Sequence, residues 1–213
     1  MLEITRSLEI SYGHNVSQQY LSERESLNSF CKCRRFHGHN ANLNITFGLS
    51  KNIKDAQMVT DFNNLKNLEK ILMSCLDHRF FISSLAPELK SICHLFLKKG
   101  AIDFYAENEL TSDLRKIGVK DRELFEQICK DLDLDAEIQI NFFSSFVVVT
   151  GETTIENMSR IVGNMTQRYL DLYLNKDKNT KFINSKGKKI EYNVVVKNVS
   201  WSETSRSKAS YSF

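Results

Sequence analysis

An α+β fold is what the hydrophobic periodicity of this chain predicts. Residues 2–11 and 41–49 alternate apolar and polar side chains, two segments beginning near Asp61 and Thr154 repeat their apolar residues every three or four positions, and from Ile190 the period returns to two. Alternation marks strands with one buried face, and the longer period marks amphipathic helices. Strands at both ends and helices between them suit a four-stranded antiparallel sheet with two helices on one face.

Each element has its own signal. In ANLNITFGL, residues Ala41, Leu43, Ile45, Phe47 and Leu49 share a face. Asp61 is placed to cap a helix whose stripe is Phe62, Leu65, Leu68, Leu72, Cys75 and Leu76, ending near Asp77-His78. A second helix opens about Thr154 and carries Ile155, Met158, Ile161, Val162, Met165, Tyr169 and Leu172. Lys186-Gly187-Lys188 reads as a turn, followed by Ile190, Tyr192, Val194 and Val196 and then, after a shift of phase, Val199, Trp201 and Glu203. Two closing strands, or one hairpin, fit that pattern.

Residues 84–146 stand apart as a largely helical insertion between the two helices of a single domain spanning 1–213. Helical patterns cover 86–99 and 121–132, Gly100 breaks the first, and AEIQINF at 136–142 alternates like a strand.

Composition bounds the function. A chain of 213 residues, 41% hydrophobic and 26% charged, is ordinary for one well-buried domain. The net charge of +3 permits an anionic substrate, and no basic block argues for direct contact with nucleic acid. No stretch approaches the roughly 20 apolar residues of a membrane span, and MLEITRSLEI lacks an apolar signal core, so a cytoplasmic location is expected. In that reducing setting the five cysteines are expected as buried residues, ligands or catalytic thiols before disulfides.

The densest chemistry lies in Cys31-Lys32-Cys33-Arg34-Arg35-Phe36-His37-Gly38-His39-Asn40, directly before the second strand. Side chains two apart on a strand point the same way, so His37 and His39 project together. Gly38 leaves the opposite face open to another backbone or a ligand. Catalytic zinc commonly takes three protein ligands and keeps one open position, and His14, ending the first strand in Tyr12-Gly13-His14, is the candidate third imidazole. Alone, an H-x-H pair is more often a pair of surface or hydrogen-bonded histidines.

Further residues carry a family resemblance. Cys33-Arg34-Arg35-Phe36-His37-Gly38-His39 resembles the C-x-x-x-H-G-H motif of the carboxy-forming members of the 6-pyruvoyl- and 6-carboxytetrahydropterin synthase family. In order along the chain, Tyr12-Gly13-His14, Met58-Val59-Thr60-Asp61-Phe62 with Leu65-Lys66, Leu76-Asp77-His78, Thr154-Ile155-Glu156-Asn157 and Glu203-Thr204 resemble other segments of that family. The resemblance covers about 1–82 and 147–213 and leaves the middle segment unmatched.

What the resemblance implies is the tunnelling fold, or T-fold, assembled as trimers stacked into a hexamer with sites at subunit interfaces. It implies 7,8-dihydroneopterin triphosphate as substrate and Zn2+ held by His14, His37 and His39. It also implies Cys33, Asp77 and His78 as the proton-transfer residues, with Glu203 anchoring the pterin and Thr154 and Glu156 as secondary contacts. The product expected is 6-carboxytetrahydropterin for the 7-deazaguanine (queuosine) branch. Cys31 stands at the longer spacing of the pyruvoyl-forming type, with five residues between it and His37, so two thiols compete for one role. A pterin-binding module without turnover, and a structural zinc site of Cys31, Cys33, His37 and His39, are the other readings.

Overall fold

The computed structural model describes residues 2–17, 32–53, 56–176, 181–183, 189–204 and 206–213. Cys31 and the expected turn at Lys186-Gly187-Lys188 lie outside the described residues. The chain divides into two compact units: one of residues 1–10, 40–77 and 155–213, the other of residues 11–39 and 78–154. Two long strands, β1 (Glu3–His14) and β2 (His37–Leu49), contribute residues to both.

The first unit holds the expected α+β elements. A short 3-10 turn at Phe62–Leu65 leads into helix α1 (Lys66–Leu76), and the Asp61 carboxylate accepts the Asn63 N–H at 2.7 Å, as an N-cap should. Leu65, Leu68, Leu72, Cys75 and Leu76 are buried, whereas Phe62 stays half exposed because the 3-10 turn precedes the α-helical register. The second core helix, at Ile155–Tyr169, buries Met158, Ile161, Val162, Met165 and Tyr169. Leu172 falls in the π-helical turn Leu170–Leu174 that continues it.

Two strands close this unit, at Val194–Ser202 and Lys208–Ser212. The first is one strand across both phases of the alternation. Thr46 faces Asn198 and Phe47 faces Val196, so Lys197 has no residue opposite it. That extra residue is a β-bulge, and it returns Val199 and Trp201 to the buried face that Val194 and Val196 occupy. Ile190 belongs instead to a separate two-stranded ribbon of Lys181–Ile183 and Lys189–Glu191.

In the second unit residues 84–146 are largely helical, as expected, with short strands between the helices. Alongside the end of β1 run β3 (Arg79–Ser83) and two further strands of this unit, at Leu114–Val119 and Phe146–Val149, with Ile102–Tyr105 at the edge. β1 with β3, and β3 with Phe146–Val149, are parallel pairs, so the strand count and pairing exceed the expected four antiparallel strands while the α+β class stands. Helix α2 (Pro87–Lys99) fits its pattern, with Pro87 in the first turn and Gly100 closing it at φ 78. Helix α3 (Arg122–Asp131) also fits.

The expected strand at 136–142 is wrong: helix α4 covers Ala136–Ser145. Asp135 accepts the Ile138 N–H at 2.9 Å, and that cap, with burial of Phe143 against Phe96 and Phe125, outweighs the short alternation of residues 136–142. Three further strands, β4 (Ile102–Tyr105), β5 (Leu114–Val119) and β6 (Phe146–Val149), are not foreshadowed by the periodicity. Helix α5 (Ile155–Tyr169) follows β6, then β7 (Lys181–Ile183), β8 (Lys189–Glu191), β9 (Val194–Ser202) and β10 (Lys208–Ser212). Within the first unit, α5 packs on β9 and β10. No described helix is long and apolar enough to cross a membrane.

Cys75, Cys93 and Cys129 are buried in the two cores. Burial pushes the Cys93 thiol up from 9.0 to about 11. Its folded-state pKa is thus raised, so the associated stability is full below about pH 9 and declines as pH climbs toward 11, where the unfolded thiol ionises first. At about 1.4 kcal/mol per unit the loss is on the order of 2–3 kcal/mol. Urea unfolding of wild type and Cys93→Ala between those pH values should show a steeper decline for wild type; parallel slopes would remove Cys93 as the cause.

Candidate metal centre

β1 ends at His14 and β2 begins at His37, and both ends belong to the second unit. The Val16 N–H donates to the Cys33 carbonyl at 2.7 Å. In β1, Tyr12 and His14 share a face and Gly13 points the other way. A Cβ at Gly13 would lie 2.2 Å from the Phe80 ring, so that ring can cover the strand only because position 13 has no side chain. Gly38 has a milder version of the same role, with the Tyr12 carbonyl 3.4 Å from where its Cβ would be. Phe80 joins Phe36 and Phe146 in an aromatic cluster with ring centroids 5.8 to 6.4 Å apart.

His14, His37 and His39 converge. One potential ligand atom from each lies within 4.8 Å of the others, and the ring centroids are 4.6 to 5.2 Å apart. His14 is buried, whereas His37 and His39 are half-buried. The Tyr12 ring packs against His14 at 5.4 Å and His39 at 5.7 Å.

Two of the rings have their protonation pattern set by neighbours. His14 Nδ1 lies 2.7 Å from the Thr153 carbonyl and His37 Nδ1 lies 2.7 Å from the Arg35 carbonyl. A carbonyl only accepts, so each Nδ1 carries the proton and each Nε2 presents a lone pair in the neutral ring. These Nε2 atoms face each other at 3.1 Å. Two lone pairs held that close repel unless a cation lies between them. Nitrogen ligands at about 2.0–2.1 Å in a tetrahedral array are about 3.3 Å apart, so the donor set fits a zinc-like ion.

The other candidates lie in different parts of the chain. Cys33 is half-buried in a 3-10 turn, Lys32–Arg34, four residues ahead of His37. Asp77 ends α1, its N–H donating to the Met73 carbonyl at 3.0 Å. His78 follows with φ 54, a left-handed conformation uncommon for a side-chain-bearing residue, and its N–H donates to the Ser11 carbonyl at 2.7 Å. Thr154 adjoins the Thr153 carbonyl that holds His14. Glu156 is exposed in the first turn of α5, and Glu203, half-buried just past β9, donates its N–H to the Ser207 carbonyl at 3.1 Å. Asp77, Glu156 and Glu203 belong to the first unit and the histidine cluster to the second.

Sequence reasoning did not single out Thr153 or Tyr12. Tyr12 had a signal, its shared parity with His14. Thr153 had none, because its contact with His14 spans 139 residues.

The fold and the cluster define an α+β protein with a three-histidine cradle of metal-binding dimensions. Residues 3–212 match the family model described as 6-pyruvoyl tetrahydropterin synthase, and the chain belongs to that family. It is 32% identical over 114 residues to the 6-carboxy-5,6,7,8-tetrahydropterin synthase of Aquifex aeolicus, covering 48% of this chain and 66% of that protein. It is 30% identical over 79 residues to the human 6-pyruvoyl tetrahydrobiopterin synthase, covering 36% and 54%. The matched stretches thus span less than two thirds of either relative. The fold is shared along 99% of this chain with an uncharacterized protein from Wolinella succinogenes, at a TM-score of 0.69, 24% identity and 97% coverage of that chain. That coverage takes in the middle segment as well.

Proposed function

We propose that the protein is a zinc-dependent lyase that converts 7,8-dihydroneopterin triphosphate and water to 6-carboxy-5,6,7,8-tetrahydropterin, releasing acetaldehyde and triphosphate. The observation that carries this is the convergence of His14, His37 and His39, with Nε2 lone pairs facing each other, in a member of a pterin synthase family. Zinc bound there would supply a Lewis acid for the side-chain oxygens of the substrate.

The remaining roles belong to the chain's own residues. Cys33 exchanges the proton next to those oxygens, and a free thiol, with pKa about 8.5, needs help from its surroundings to do so near neutral pH. His78 serves the same proton transfer, oriented by Asp77. Glu203 accepts two parallel hydrogen bonds from the pterin N3–H and 2-amino group, and Thr154 and Glu156 add contacts at the start of a helix. In this reading residues 84–146 are an insertion in a single T-fold chain, which assembles as a hexamer of two trimers in the cytoplasm and feeds the queuosine branch.

One observation favours a second product. Cys31 has the spacing of the pyruvoyl-forming type, and the human relative bears that name. The experiment is to incubate purified protein with dihydroneopterin triphosphate and identify products by mass spectrometry. Carboxytetrahydropterin with acetaldehyde is the expected result. Pyruvoyltetrahydropterin would transfer the assignment to the second reading, and binding of the pterin without turnover would make the protein a binding module.

A further inference from the structure

We infer that Thr153 is a positioning residue for the histidine cluster: its carbonyl sets the His14 tautomer, and its hydroxyl holds the loop that follows His14. This rests on the metal reading above, but Thr153 itself touches neither metal nor substrate in that reading.

Thr153 is fully buried, and both of its polar ends reach the segment around His14. The carbonyl receives the Nδ1 proton of His14 at 2.7 Å, which leaves Nε2 as the ligand atom. The hydroxyl donates to the Asn15 carbonyl. One residue thus fixes the ring's orientation and the backbone immediately after it. Partners of this kind orient metal-ligating histidines and raise their basicity.

The hydroxyl matters because the loop it holds is costly. Asn15 is fully buried, Val16 and Ser17 nearly so. Yet Asn15 Oδ1 and Nδ2 and Ser17 Oγ have no hydrogen-bond partner among the described residues. Each buried polar group left without a partner costs about 1–3 kcal/mol, so the loop would gain by turning outward and hydrating them. Among the described residues, burial of the Val16 side chain and two hydrogen bonds oppose that movement: the Thr153 hydroxyl to Asn15, and the Val16 N–H to the Cys33 carbonyl at 2.7 Å. Each hydrogen bond contributes only about 0.5–1.5 kcal/mol net, so the loss of either shifts the balance toward opening. His14 is the hinge of that opening. It remains paired with Phe81 at the end of β1, so the expected consequence is weakened metal binding while the strand stays in place.

The test uses the full chain and three variants. Thr153→Val keeps the shape and the carbonyl and removes the hydroxyl; Thr153→Ser keeps both polar ends. Thr166→Val is a control, because the Thr166 hydroxyl is buried in α5 with no partner among the described residues. Zinc affinity, read by chelator competition, should fall about 10–100-fold in Thr153→Val, with a changed visible spectrum of the cobalt(II) form. Thr153→Ser and Thr166→Val should stay close to wild type. Independently of any metal, nitrogen-15 NMR of the metal-free wild-type protein at mildly alkaline pH should show His14 in the Nδ1–H tautomer.

Unchanged affinity in Thr153→Val, an equal loss in Thr153→Ser, or an Nε2–H tautomer for His14 would overturn the proposal. If Thr153→Val does not fold, the wild-type tautomer and the affinity of Thr153→Ser decide it. A wild-type protein that holds no zinc would sink the metal reading alone, because the tautomer still tests the latch.

Discussion

Replacing His14 by alanine is expected to remove tightly bound metal and, with it, turnover. The imidazole is the buried member of the cluster, it faces His37 across 3.1 Å, and no other described histidine, cysteine or carboxylate shares the three-residue group. Outer-shell partners of a zinc ligand are typically worth about 10–100-fold in affinity, and a direct ligand of three should exceed that range. The substitution also leaves the Thr153 carbonyl buried without its donor, which adds about 1–3 kcal/mol of destabilisation. Metal analysis of the purified variant, zinc titration with a competing chelator, and thermal melting with and without zinc separate the two effects. Full metal occupancy together with full activity in His14→Ala would eliminate the proposed triad.

Cys33→Ala should lower turnover by about 10²–10⁴-fold while zinc stays bound, the range general acid–base catalysis contributes. At about 1.4 kcal/mol per tenfold, that is roughly 3–6 kcal/mol of barrier. The split from His14→Ala is the informative part, since one variant loses metal and the other keeps it. Cys33 sits in the turn that leads into the His-Gly-His strand, and its carbonyl is tied to Val16, so its backbone position is fixed next to the metal-binding segment. Cys31→Ala, two residues upstream, should lose far less. A dominant loss from Cys31→Ala, or loss of zinc in Cys33→Ala, would reassign the thiol chemistry and revive a structural role for the cysteines.

Much of the fold and of the histidine cluster is legible in the spacing of the residues. The period of the apolar residues places both core helices within a few positions, and parity along a strand puts His37 and His39 on one face, because both properties follow from the local repeat of the backbone. Even the shift of phase between Val196 and Val199 is visible, although its meaning is not. A bulge is defined by the partner strand, and only the pairing of Thr46 with Asn198 and Phe47 with Val196 shows that Lys197 is the extra residue. Short segments fare worse. AEIQINF alternates over too few residues to outweigh the Asp135 cap, and β4, β5 and β6, at four to six residues each, carry too little pattern to read against their flanks.

The sequence by itself therefore determined the α+β class, the two core helices and the three histidines, since each rests on spacing within one stretch of chain or on motifs read in order along it. Tertiary structure alone decided that β3 lies parallel to β1, that Phe80 covers Gly13, and that Thr153 holds His14. Those contacts join residues far apart in the chain, and their energies depend on burial and hydrogen-bond geometry that no local period encodes.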